Sequence, residues 1–229
     1  MKLLFVHGSG GTEADFYYQT RYFKHSEAVT LPGHPHGKPC SSISGYVDWL
    51  RGYIAGNGYE DVVLAGHSMG GGIVLLYGLL YPEEVKALVP ISSGARLRVH
   101  PEYLADDHDG ITDLEAWARG RRERPATYDS SVHTMVLEKE LEVGPAVHHN
   151  DMTACDHFDI MDRVGEIKLP TLAICGTEDV MTPPIYSRYL EEHMDSCRTV
   201  IVEGATHSIM LERPDLVNRA IADFLASLS

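Results

Sequence analysis

Apolar residues fall along this chain in short unbroken runs, separated by longer stretches in which they recur at helical spacing. The runs at residues 3–6, 28–31, 61–65, 86–91, 171–175 and 199–202 are four to six residues long and rich in Val, Ile and Leu. Continuous runs of that length predict parallel strands buried on both faces. Amphipathic stretches lie between them, at residues 13–24, at 41–53 with Tyr46, Trp49, Leu50 and Tyr53 on one face, and from 68 to about 81. Ser41 or Ser42 is placed to cap the second of these, and Pro184 and Pro214 stand where helices tolerate proline, at the first position. Strand and helix in alternation predict an α/β fold built as a three-layer sandwich. The rhythm stops between residues 92 and 156, a gap too long for a plain connection. It predicts a helical lid inserted into a core made of residues 1–91 and 157–229.

Composition narrows the possibilities. Apolar residues make up 44% of the 229 and charged residues 23%, the balance of an ordinary globular domain. Nineteen basic residues against thirty-three acidic ones give a formal charge of −14, which repels nucleic acid and anionic lipid alike. No apolar run approaches a membrane span, and the opening run is too short for a signal peptide, so a cytoplasmic protein without membrane or nucleic-acid partners is expected. Cys40, Cys155, Cys175 and Cys197 are widely spread and form no CxxC pair, so neither a disulfide framework nor a zinc ribbon is expected. His34, His36, His148 and His149 lack further ligands at metal-site spacing, and no metal or organic cofactor is expected.

Chemistry concentrates in the loops that follow the strands. Gly66-His67-Ser68-Met69-Gly70 fits G-x-S-x-G between a strand and an apolar helix. That turn presents a serine nucleophile, and it is so tight that a Cβ two positions either side of Ser68 would strike backbone. A serine hydroxyl needs a base, and the base needs an orienting acid. Of thirteen histidines, His207 follows the last predicted strand. Its loop therefore opens at the same carboxyl edge as Ser68. Asp179 follows the strand before it and is the matching acid, with Glu178 as its neighbouring competitor. Asp151, Asp156 and Asp159 precede a strand and rank lower. His67 is expected to pack or hydrogen-bond locally, and the basic cluster 119–124 to form a solvated helix face. Met135, Met152, Met161, Met181 and Met210 are candidates for an apolar acyl pocket, with core filling as the default.

These loops together resemble the α/β-hydrolase family, in its serine esterase and lipase-like group. His7-Gly8-Ser9-Gly10-Gly11 is similar to that family's HG-x-G-G loop, and Leu31-Pro32-Gly33-His34 to its PGHG loop, with Pro35 in place of the second glycine. The order Ser68, Asp179, His207 is the family's order. The resemblance implies an oxyanion hole from the N–H groups of Ser9 and Met69. It also implies about six mostly parallel strands, the first two of the usual eight being absent. Strand 28–31 then lies at a sheet edge, to be covered by the N-terminal helix or paired with a second copy as a homodimer.

A triad of this type predicts hydrolysis of a small or medium-chain carboxylic ester through an acyl-enzyme. Two further readings share the fold. One is carbon–carbon bond cleavage of hydroxynitrile or β-diketone type. Its lyase form requires a cation beside the pocket, and Lys139 and Lys168 lie outside the site loops. The other is a small-molecule receptor that keeps the hydrolase frame.

Overall fold

The computed structural model describes residues 1–228. The chain runs β1 (Lys2–Val6), α1 (Tyr17–Tyr22), β2 (Ser26–Val29), α2 (Ile43–Gly56), β3 (Val62–His67), α3 (Met69–Leu80) and β4 (Val85–Ile91). Four consecutive helices follow, α4 (Pro101–Thr112), α5 (Leu114–Arg122), α6 (Ser130–Val143) and α7 (Pro145–Asp156). The core then resumes with β5 (Thr171–Gly176), α8 (Pro184–His193), β6 (Cys197–Val202), α9 (Ile209–Glu212) and α10 (Pro214–Ser227). Among the described residues, no helix is long and apolar enough to cross a membrane.

The strands form one sheet in the order β2-β1-β3-β4-β5-β6, and every neighbouring pair is parallel. Alternate residues of each strand serve opposite faces. Leu4, Val6 and Leu64 pack under α2 and α3 on one side. Leu3, Phe5, Val63 and Ala65 pack under α9 and α10 on the other. Both faces being covered explains why the strands read as unbroken apolar runs.

Several expected boundaries shift, two of them where a side chain takes up a backbone group. The second strand covers Ser26–Val29 and stops short of Leu31. The Leu31 N–H is withdrawn from the sheet because it donates to Nε2 of His7 at 3.0 Å. The helix expected over 13–24 divides into a 3-10 turn at Glu13–Phe16, capped by the Thr12 side chain, and then α1. The last strand begins two residues early, at Cys197. Ser42, of the two candidate caps, accepts from the Gly45 N–H at the start of α2.

The sheet's connectivity sets where chemistry can occur. From β1 the chain moves outward to β2, then returns past β1 to β3, so the strand order reverses between β1 and β3. Loops leaving the carboxyl ends of such a pair border a crevice. Val6 is in register with Gly66, so residues 8–9 and 68–69 emerge side by side.

The fit there is extreme. A Cβ at Gly66 would lie 2.1 Å from the carbonyl oxygen of Gly70, and a Cβ at Gly70 would lie 2.1 Å from that of Val6. Both obstacles are backbone. Gly52, midway along the exposed face of α2, meets nothing within 4 Å. Gly70→Ala is therefore expected to lower stability by about 3 kcal/mol or more, or to abolish soluble expression. Gly52→Ala is expected to raise stability by about 0.5–1 kcal/mol through helix propensity. Thermal melts of the two variants against the parent check this pair of opposite signs.

Candidate active site

Ser68 sits between β3 and α3 with φ +52° and ψ −116°, a left-handed conformation that costs a non-glycine residue energy. Its backbone is pinned: the Ser68 N–H donates to Ile91 O at 2.9 Å, and Ser68 O accepts from Ser93 Oγ at 2.8 Å and Gly71 N at 2.9 Å. The strain thus holds the side chain out at the carboxyl edge of the sheet.

Asp179 and His207 are brought together by the β5–β6 register. Gly176 pairs with Val202, and beyond the strands Thr177 N donates to Val202 O and Glu178 N to Ala205 O. His207 Nδ1 then donates to Asp179 at 2.9 Å from Oδ2 and 3.0 Å from Oδ1. The Asp179 carboxylate also accepts from the N–H groups of Met181 and Thr182 and from the Thr182 hydroxyl. Burial alone would raise its pKa, but His207 and these donors override that and hold the carboxyl at about 2. Glu178 points outward and is exposed. His67 Nε2 donates to the carbonyl of His207 at 2.9 Å, so the residue beside the nucleophile braces the loop of the base. Ser68 and His207 line one cleft. Among the described residues, no hydrogen bond joins the Ser68 hydroxyl to the ring.

Ser9 and Met69 face this point from the two neighbouring loops. Among the described residues, neither N–H donates within the chain, whereas Gly10 N and Gly11 N on either side of the same turn are both occupied. Two unpaired donors beside Ser68 form a place for negative charge.

A sequence model of the alpha/beta hydrolase family matches residues 3–220. The chain belongs to the alpha/beta hydrolase family. A thermophilic esterase of known structure is 28% identical, with a TM-score of 0.83 over 100% of this chain and 90% of that one. A lipase-esterase related protein from Clostridium acetobutylicum is 25% identical, with a TM-score of 0.79 over 97% and 93%. A Mycoplasma pneumoniae protein with the provisional name esterase/lipase 2 is 26% identical over 254 residues, 98% of this chain and 89% of the relative.

Beneath the Ser9 turn this hydrolase buries a charge that sequence reasoning ranked low. Asp151, from α7, is fully buried and accepts from His34 Nε2 at 2.8 Å, Tyr46 Oη at 2.6 Å and Gly10 N at 3.0 Å. Burial opposes its ionisation, yet His34, Tyr46 and Gly10 together hold the carboxyl below the ordinary range. The carboxylate thereby fixes the peptide next to Ser9. Nothing in the pattern of α7 announces this role, since a polar residue on an insertion helix ordinarily faces water. The basic cluster also departs from expectation. Arg121 is buried, bonded to Asp107 at 2.8 Å and facing Glu140 at 3.2 Å, because α4 and α6 supply acids at its position. His148 pairs with Asp107 in turn.

Two clefts meet at Ser9 and Ser68, of about 360 and 450 Å³. Met152 and Met181 line both and Met210 lines the larger, while Met135 and Met161 pack against the core. Lys139 and Lys168 are paired with Glu142 and Asp195 and border neither cleft.

Three groups near the site titrate abnormally. Burial first, and then the positive charge of a neighbouring imidazole, lower the pKa of His7 and of His67 to about 3. Burial, helped by Glu140, raises that of Asp15 to about 7. Below the ordinary histidine value near 6.5, the unfolded chain takes up two protons that folded His7 and His67 refuse. Folded Asp15 meanwhile keeps one that the unfolded chain has released. Between pH 6 and 5 the difference is about one proton, so stability falls with acidification by roughly 1.4 kcal/mol per pH unit. Asp15→Asn removes the opposing group and is expected to double that slope. Urea titrations at pH 6 and pH 5 on both proteins check it, and equal slopes would contradict it.

Proposed function

We propose that the protein is a carboxylic-ester hydrolase that cleaves small or medium-chain esters through Ser68, His207 and Asp179. The observation that carries this reading is the Asp179–His207 hydrogen bond at 2.9 Å in the cleft that also holds the strained Ser68. The esterase names of the relatives support it.

Ser68 Oγ attacks the ester carbonyl while Nε2 of His207 takes the hydroxyl proton. Asp179 keeps Nδ1 protonated, so Nε2 is the nitrogen free to accept. The carbonyl oxygen becomes an oxyanion held by the N–H groups of Ser9 and Met69, each such donor being worth about 3–4 kcal/mol. Collapse breaks the bond to the alkoxy oxygen, which leaves with the proton from His207. Water then attacks the acyl-enzyme, gives its proton to His207 and releases the acid with Ser68 restored. The lyase alternative lacks support, because neither Lys139 nor Lys168 stands beside the cleft and the two arginines that line it are paired with Glu140.

A fluorophosphonate probe is expected to label the protein, and the label to vanish in Ser68→Ala. Turnover of p-nitrophenyl esters from acetate to octanoate is expected, with His207→Ala lowering kcat by about 10³-fold or more. Labelling without cleavage of any of these esters would overturn hydrolysis in favour of a receptor.

A further inference from the structure

The two clefts meeting at Ser68 carry different ionisable residues, and His207 borders only one of them. The smaller is walled mainly by apolar side chains such as Leu97, Val99, Met152 and Tyr186, and its charged residues, Arg98 and His100, are exposed. The larger holds His207 together with Asp15, Asp106, Asp107, Glu140, Arg121 and Arg124. An ester has two arms, and the alcohol arm must leave with a proton from His207. The alcohol arm therefore belongs in the larger cleft and the acyl arm in the smaller.

Within the larger cleft, the His148 ring is held through one nitrogen and left open at the other. His148 Nδ1 donates to Asp107, whose carboxylate is itself buried and held by Arg121 Nη2 at 2.8 Å and Trp117 Nε1 at 3.3 Å. The ring is packed close against the turn of Ser9: a Cβ on Gly10 would fall 2.2 Å from His148 Cδ2, the carbon bonded to Nε2. Among the described residues, Nε2 has no hydrogen-bond partner. With Nδ1 committed to Asp107, Nε2 is the ring atom left to meet a substrate hydroxyl, which can serve it as acceptor or donor. The surrounding charge agrees. Even with Asp15 keeping its proton up to about pH 7, three acids, Asp106, Asp107 and Glu140, outnumber two arginines along this cleft, and both arginines are already paired with Glu140. An anionic arm meets net repulsion here, whereas a hydroxyl meets acceptors.

Building on the esterase reading above, we infer that the substrate's alcohol arm carries hydroxyl groups, one of them hydrogen-bonded to His148 Nε2, and that its acyl arm is apolar. His148 is then a substrate-contacting residue and Asp107 the residue that positions it.

The test compares three butyrate esters of one acyl chain: propyl, 2,3-dihydroxypropyl and carboxymethyl. Each kcat/KM is divided by the ester's own rate of hydroxide-catalysed hydrolysis, which removes leaving-group reactivity. The dihydroxypropyl ester is expected to exceed the propyl ester about tenfold and the carboxymethyl ester by more, a preference carried in KM and kcat/KM. In His148→Phe, which keeps a ring on Gly10, and in Asp107→Asn, the dihydroxypropyl-to-propyl ratio is expected to fall to about one. Fluorophosphonate titration counts the folded sites in each variant. Equal rates for the propyl and dihydroxypropyl esters would overturn the inference and leave the esterase reading standing. So would preference for the carboxymethyl ester, or a tenfold ratio that persists in both variants. The wild-type comparison decides even if one variant fails to fold. Cleavage of none of the three, with no turnover of p-nitrophenyl esters either, overturns hydrolysis itself.

Discussion

The contact on which the site depends is backbone against backbone, where α3 begins directly over the end of β1. Gly70 lies so close to the Val6 carbonyl that no side chain fits between them. That approach brings the turns of Ser9 and Ser68 together, and with them the two free N–H groups that flank the serine hydroxyl. Electrostatic stabilisation of a developing oxyanion works when donors are already aimed and need no reorganisation. Here they are aimed by covalent geometry and strand register, the least compliant parts of a protein. The positive φ of Ser68 is a cost of the same contact, offset by the hydrogen bonds from its backbone to Ile91, Ser93 and Gly71.

A second constraint comes from a buried charge. A carboxylate removed from water is tolerated only when donors replace its hydration. Asp151 finds them on three separate elements: the loop after β2 through His34, α2 through Tyr46, and the Ser9 turn through Gly10. Satisfying one charge thus ties the insertion helix α7 to the loop bearing Ser9. The His34 and His7 rings pack at a tilt of 59° with centroids 4.6 Å apart, and His7 in turn accepts from Leu31 and donates to Gly8 O. His7 and His34 thus join loops at the carboxyl edge of the sheet.

The frame was legible because its determinants are local. Parallel strands buried on both faces must be apolar throughout, and a turn as tight as 66–70 must be made of glycine at its crowded positions. Strand order then carries Asp179 and His207 to one edge without knowledge of any contact between them. Boundaries failed where a side chain competed for a backbone group, as His7 does for the Leu31 N–H. The insertion was legible as helical and no further. Arg121 stands in a run of charges, and nothing in that run tells it from Arg119 or Arg122. Only the positions of Asp107 and Glu140, 14 and 19 residues away along the chain on other helices, make it a buried ion.

That last point bears on how the insertion works. Its helices α4 to α6 contribute few residues to the apolar core, Val132 of α6 being one. What joins them at the cleft is ionic: Asp107 on α4, Arg121 on α5 and Glu140 on α6 form one connected set, extended to α7 through His148. Buried ion pairs add little net stability over apolar side chains of the same size, because dehydrating the charges consumes most of their attraction. They are strict about geometry, however, since one displaced partner strands the others. A lid held in this way keeps a single arrangement over Ser68 while remaining weakly held in energy. The residues that fix its shape also line the cleft at Ser68, so a substitution that alters this cleft also alters the packing of the insertion.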